Sequence, residues 1–428
     1  MTKETSELPS AEEFTETWAA ISDDVRELLE EYSKAQAQPD AAAPSGDEIS
    51  LLTRPFETFM ERTSADPSGM VSAQMEYWRD ISTLWQRMGQ RALGLDVEPV
   101  VSPERSDRRF KDEAWTENPI FDFIKQSYLL SSRHLASTVP QSEGDDDKRA
   151  QQLEFHTRQF VDAMSPSNFV ATNPEVLRET VASGGQNLVD GLRNLLSDLK
   201  RGNGQLRIKM TDLDKFKVGE NIGTSAGKVV YETPLMQLIQ YSPTTPQVYT
   251  RPILIMPPWI NKFYILDLQP KNSFIRWAVE QGHTVFVISW VNPGSELAEK
   301  SFDDYLTEGS LAALDAIAEA TGVKDVNLVG YCLGGTLLAC TLAHLAAKGD
   351  KRAKSATYFA SLADFSNPGE LGLFIDEEHI SVIESQMEKD GYLDGATMAT
   401  TFNSLRANDL IWSFVVNNYL MGKEPLPF

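Results

Sequence analysis

VNLVGYCLGGTLLA, residues Val326 to Ala339, begins like a buried strand and ends like a helix. Cys332 stands at the junction, with Gly330 and Gly334 two residues to either side. A sulfur used only for packing has no need of so sharp a corner, whereas a sulfur that a substrate must reach does. The competing reading is a buried structural cysteine in a glycine-rich turn. In the first reading the turn forces residue 332 into a strained backbone conformation, and small residues at minus two and plus two let strand and helix backbones crowd together. The helix that follows aims its N-terminus at the thiol and favours the thiolate, and the N–H of Leu333 is a candidate oxyanion donor.

Short apolar runs flank this corner: PILIM (Pro252 to Met256), TVFVISW (Thr284 to Trp290) and SATYFAS (Ser355 to Ser361). Helical stretches separate them: SFIRWAVEQG, SFDDYLTEGSLAALDAIAEATG and GGTLLACTLAHLAAKG. Nearly continuous apolar strands alternating with helices predict a parallel sheet buried on both faces. GKVVYETPLMQLIQYSP alternates ahead of them with strand composition. The loop after the first core strand, PPWIN, is stiff and apolar and lies where a second oxyanion N–H is expected, so Trp259 and Ile260 are backbone candidates. GTSAGKVV at Gly223 imitates a phosphate loop but is one residue short, lacks the hydroxyl residue and runs into a strand pattern, so it is rejected.

Before about residue 205 the period is helical. In FTETWAAISDDVRELLEEY, the residues Phe14, Trp18, Ile21, Val25, Leu28 and Tyr32 form one apolar stripe. QPDAAAPSGDE reads as a linker, and Met75, Trp78, Ile81, Trp85 and Met88 mark a second stripe. Asn118-Pro119 is a good helix start, and RGNGQ ends the helical region. The expected organisation is an acidic helix and linker (1–50), a helical domain (51–205), the first part of an α/β core (206–365) and a cap or lid insertion (366–428).

The 428 residues carry a net charge of -23, and the first 50 hold thirteen acidic against three basic residues. Such a surface disfavours nucleic acid as a partner. No apolar run is long enough to span a membrane, and the acidic N-terminus does not resemble a signal peptide, so a cytoplasmic location is expected. Cys332 and Cys340 cannot form a disulfide framework, and Cys340, mid-helix, is expected in the core. Five scattered histidines argue against a metal site.

PPWINKFYILDLQPKNSFIRWAVEQGHTVFVISWVNP, then DDY, VNLVGYCLGGTLLA and NDLIWSFVVNNYLMGKEPLPF, resemble the single-subunit polyhydroxyalkanoate synthases, class I above all. DRRFKDEAWTENPIFDFIKQSYLL is similar to that family's N-terminal domain. The resemblance implies an α/β-hydrolase-type core with a helical cap insertion and an all-α N-terminal domain. It implies a cytoplasmic acyltransferase that polymerises (R)-3-hydroxyacyl-CoA, notably 3-hydroxybutyryl-CoA, through a Cys332 thioester. No cofactor is expected, coenzyme A being part of the substrate and a product. A homodimer, attachment to polyester granules and contact with granule-associated proteins are also implied. Asp267 and Arg406 match positions near the family's site and acyl-CoA path, although an ordinary structural charge is the competing reading for each. The family's catalytic aspartate and histidine are expected beyond Phe428. His344 lies twelve residues down the elbow helix, roughly 18 Å from the sulfur, and His379 lies in the cap-like segment, so the chain alone is expected not to polymerise. A cysteine hydrolase or thioesterase, and a non-catalytic granule-binding chain, remain as alternatives.

Overall fold

The computed structural model describes residues 67–139, 148–202, 204, 206–260 and 262–427. The stripe from Phe14 to Tyr32 lies outside them. The chain divides into two compact units, one comprising residues up to 212 together with 399 onward, the other residues 213–398.

The helical unit contains α1 (Pro67–Ala92), α2 (Pro119–Thr138), α3 (Lys148–Ala163), α4 (Pro174–Ala182) and α5 (Gln186–Arg201). Helices α2 and α4 start alike. Asn118 and Asn173 accept hydrogen bonds from backbone N–H groups of the first turn, and a proline fills the first helical position, where no donor is missed. Trp115 is buried, but Met75, Trp78 and Trp85 are exposed on α1, and Trp85 meets the ring of Phe123 at 4.6 Å. On α1 it is Leu84 that is fully buried.

The sequence groups 366–428 as one cap insertion, yet residues 399–427 pack with the helical unit. Asn187 Nδ2 donates to the carbonyl of Leu420 at 2.7 Å, and Tyr419 Oη donates to Asp198 Oδ2 at 2.6 Å. The absence of a side chain at Gly191 lets these backbones meet, because a Cβ there would lie 1.9 Å from the Tyr419 carbonyl oxygen.

The second unit is built on a six-stranded sheet of order β1-β2-β4-β3-β5-β6: β1 (Gly227–Glu232), β2 (Met236–Tyr241), β3 (Ile253–Met256), β4 (Val285–Trp290), β5 (Val326–Tyr331) and β6 (Ala353–Phe359). The β1–β2 and β2–β4 pairs are antiparallel, and β4, β3, β5 and β6 run parallel. Helices α6 (Phe274–Glu280), α7 (Ala312–Thr321) and α8 (Leu333–Ala347) accompany the parallel strands. Leu254, Met256, Phe286, Ile288 and Leu328 face a core shared with Leu314 and Ile317 of α7 and Leu337 and Leu338 of α8. Ile255, Val285, Val287 and Val329 face the opposite core, with Ile275 and Val279 of α6. Two filled faces explain why these strands are nearly continuously apolar, with Ser289 and Asn327 as the polar exceptions. Each such side chain contributes about 1.5–3 kcal/mol on full burial.

Two expectations fail at the margins of this sheet. Strand β6 forms, but its interior positions are exposed rather than buried. It is the outer strand, with β5 as its one neighbour among the described residues. Cys340 is exposed and does not belong to the core. Helix α8 buries Leu337, Leu338, Thr341 and Leu345, which leaves Cys340 on the other side. That helix is apolar nearly all round, so its composition alone could not reveal the inward face.

Candidate active site

Strand β5 ends at Tyr331, α8 begins at Leu333, and Cys332 between them has φ 54° and ψ -124°. Among the described residues the only other non-glycine positive φ belongs to Ala360. Such a conformation costs on the order of 1–3 kcal/mol and persists only where surrounding packing enforces it. The enforcement is visible. Cys332 N–H donates to the Phe359 carbonyl at 3.0 Å, and its own carbonyl accepts from Gly335 N at 2.8 Å. The Cys332 residue is exposed to solvent.

The glycines are small because backbone lies where a side chain would be. A Cβ on Gly330 would sit 2.4 Å from Gly335 Cα, and one on Gly334 would sit 1.9 Å from the Met256 carbonyl oxygen and 2.9 Å from Pro257 C. The second contact also places the start of the loop after β3 against the first turn of α8. Leu333 is the first residue of α8, so its N–H has no acceptor a turn earlier and the positive end of the helix dipole lies at the cysteine.

The loop from Pro257 to Asp267 is held at several points. Trp290 Nε1 donates to the Pro257 carbonyl at 2.7 Å. The Trp259 ring lies among Trp290 (6.2 Å), Phe302 (6.0 Å) and Tyr305 (4.8 Å). Ile260 is exposed. Lys262 Nζ donates to Asn292 Oδ1, and partial burial lowers the pKa of its ammonium. Asp267 is 2% exposed and its carboxylate is fully engaged. It accepts from Ser225 N at 3.0 Å, Ser225 Oγ at 2.7 Å and Ser273 Oγ at 2.5 Å, while its carbonyl accepts from Gly223 N at 2.8 Å. The geometry therefore makes Asp267 an anchor for the far end of the loop rather than an open substrate contact. Arg406 belongs to the helical unit, where its exposed guanidinium pairs with Asp409 at 2.5 Å.

Of the histidines after Cys332, His344 is on α8 and His379 is in α9 (Glu377–Asp390). The His379 ring nitrogen Nδ1 meets Asp376 Oδ1 at 2.8 Å, and the same oxygen accepts from the His379 backbone N–H at 2.9 Å, capping the helix. No cluster of three or more metal-ligating side chains occurs among the described residues.

Three features escaped the sequence reading. A Cβ on Gly335 would lie 2.0 Å from Ser361 Oγ, so the second glycine of the doublet is as tightly placed as the first, and the doublet itself was the available signal. The loop after β6 is laced to the elbow, with Ser361 Oγ donating to Gly330 O at 3.4 Å and Thr336 Oγ1 donating to Leu362 O at 2.7 Å. Trp290 closes a strand that alternation alone treats as ordinary core.

A sharp strand–residue–helix corner on an inner parallel strand, with an exposed nucleophilic side chain and a gripped loop beside it, is the arrangement of the α/β-hydrolase class. Residues 256–414 match the alpha/beta hydrolase fold model, and residues 106–278 match the model of the poly-beta-hydroxybutyrate polymerase (PhaC) N-terminus. A poly(3-hydroxyalkanoate) polymerase of Methylorubrum extorquens is 46% identical over 98% of this chain and 71% of its own length. The polymerase subunits of Rhizobium meliloti (47% identical, 90% of this chain) and Cupriavidus necator (41%, 85%) are also similar. The chain belongs to the poly(3-hydroxyalkanoate) polymerase family. It spans 63% and 60% of the length of the last two relatives. Among solved structures, a putative hydrolase from Agrobacterium vitis S4 aligns with a TM-score of 0.26 and 13% identity over 40% of this chain and 62% of its own.

Proposed function

We propose that the chain carries the acyl-accepting site of a polyhydroxyalkanoate synthase, with Cys332 as the nucleophile. The observation that carries this reading is the positive φ of Cys332 at the exposed corner, held there by Gly330, Gly334 and Gly335. The substrate is an (R)-3-hydroxyacyl-CoA, with 3-hydroxybutyryl-CoA as the probe. The Cys332 thiolate attacks the thioester carbonyl, and the oxyanion is met by the N–H groups of Leu333 and of Trp259 or Ile260. Collapse expels the CoA thiolate, which takes up the proton the cysteine lost, so one thioester replaces another. In chain growth the hydroxyl of a further monomer attacks the Cys332 acyl group, forming an ester and returning its proton to the sulfur. No cofactor enters this balance. Self-association and attachment to the polyester surface fall to the helical unit, which makes the protein a cytoplasmic, granule-associated one.

Growth needs a base at the incoming hydroxyl. His344 lies roughly three helical turns along α8, and among the described residues no hydrogen bond joins His379, whose Nδ1 meets Asp376, to Cys332. The chain alone is therefore expected to acylate slowly, from the few per cent of thiolate present at pH 7, and not to polymerise. Incubation with 3-hydroxybutyryl-CoA and peptide mass spectrometry should place the acyl group on Cys332 and lose it in Cys332→Ala. Because Cys340 is also exposed, acyl found there instead would overturn the assignment. Catalytic release of free 3-hydroxybutyrate would identify a thioesterase, and granule binding without any acylation would identify a non-catalytic surface protein.

A further inference from the structure

We propose that Trp290 is a positioning residue that sets the register of the oxyanion loop against the Cys332 elbow, an inference that rests on the function proposed above. Trp290 is the last residue of β4, is 7% exposed, and grips the loop in two places. Its indole N–H donates to the Pro257 carbonyl at 2.7 Å, and its ring stands at 90° to that of Trp259, two residues further along. Pro257 in turn abuts the elbow helix, where a Cβ on Gly334 would come within 2.9 Å of Pro257 C. Indole, loop and elbow thus form one chain of contacts ending at the first turn of α8.

The seat of the indole is equally specific. Tyr305 opens a π-helical segment, Tyr305–Leu311, and its ring lies 5.2 Å from that of Trp290. Gly309 in the same segment leaves room for the indole edge, since a Cβ there would lie 2.5 Å from Cη2. Next to it, Ser310 Oγ meets Thr341 Oγ1 of α8 at 2.8 Å, so the seat is bolted to the helix that carries the elbow. A wider helical turn that accommodates a ring, beside a loop the reaction must hold still, is a recurrent functional use of π-helical geometry. Oxyanion stabilisation depends on donors that are already in place when charge develops, and displacement by about 1 Å can cost about 100-fold in rate.

Trp290→Phe removes the N–H while keeping an aromatic ring in the seat, and Gly309→Ala displaces the indole without touching its chemistry. For each variant of the 428-residue chain, three quantities are measured: single-turnover CoA release from 3-hydroxybutyryl-CoA, the substrate concentration giving half-maximal rate, and iodoacetamide alkylation of Cys332. The expected result is acylation slowed about 10- to 100-fold, with alkylation and the half-saturating concentration unchanged, because the thiol and the acyl-CoA path are intact. Unchanged acylation in both variants would overturn the inference, as would parallel loss of acylation and alkylation, which would mean a distorted elbow. If Trp290→Phe does not fold, Gly309→Ala decides by the same criteria. Absence of CoA release from the unsubstituted chain would instead overturn the proposed function itself, and this inference with it.

Discussion

At the scale of single residues, the corner trades stability for access. Cys332 holds φ 54°, which a side chain with a Cβ adopts at a cost and glycine adopts freely. Cys332→Gly is therefore expected to be more stable than Cys332→Ala by about 1 kcal/mol, read from the shift of the urea midpoint at constant slope. Equal midpoints would show that the corner is unstrained. The flanking glycines should not be equivalent. A Cβ on Gly334 meets the Met256 carbonyl and one on Gly330 meets Gly335 Cα, both backbone, whereas one on Gly335 meets the side chain of Ser361. Alanine at 334 or 330 is expected to abolish acylation, with an overpacking cost of about 1–3 kcal/mol. Gly335→Ala should be milder, because its closest contacts, Ser361 Oγ at 2.0 Å and Cβ at 2.5 Å, belong to the loop after the exposed outer strand β6, which can shift where rotation of the serine alone would not suffice. An order of damage with 335 worst would contradict this account.

At the scale of elements, the segment after residue 405 tests whether its hydrogen bonds matter. Burial and the neighbouring Asp198 carboxylate raise the pKa of the Tyr419 phenol, so it stays protonated and donates across the physiological range. Tyr419→Phe should cost about 1–2 kcal/mol, because Asp198 loses one of its donors while keeping Lys209 N and Arg201. A change below about 0.5 kcal/mol in denaturant unfolding would assign the bond no weight. This docking was not legible in the sequence: NNYLMGKEPLPF contains nothing that points to Gly191 over two hundred residues earlier. What was legible had local causes. Asn118-Pro119 reads as a cap, Pro252 to Met256 and Thr284 to Trp290 read as two-faced core strands, and Cys332 with its glycines reads as an elbow. The failures came where the outcome depends on what lies alongside. SATYFAS has strand composition whether or not both its faces are covered, and GGTLLACTLAHLAAKG is too uniformly apolar to say that Cys340 faces out. Asp267 belongs with these, since its sequence shows a charge near the site but not the two serines and the backbone N–H that consume it.

At the scale of the whole molecule, the helical unit is discontinuous, since it includes residues 399–427 as well as those before 213. Removing residues 1–200 therefore does more than trim an appendage. It takes away Asn187, Gly191, Asn194 and Asp198, the groups that hold Leu420, Asn418 and Tyr419. The sheet itself keeps both of its cores, because every buried residue in them lies between 235 and 345. The expected result is a folded sheet with a released C-terminal segment. Amide hydrogen exchange should remain slow in β3, β4 and β5 and become fast across residues 415–420, where protection then falls to that of an undocked helix. The same deletion removes the exposed apolar residues Met75, Trp78 and Trp85 of α1. On the proposed function it should also lower self-association in sedimentation and recovery on polyester granules. These two losses can be separated from the loss of docking with Trp78→Ser and Trp85→Ser, which leave α5 in place. Slow exchange at 415–420 after the deletion would mean that the segment holds itself together. Full granule recovery in the double serine variant would mean that the α1 surface is not what meets the polymer.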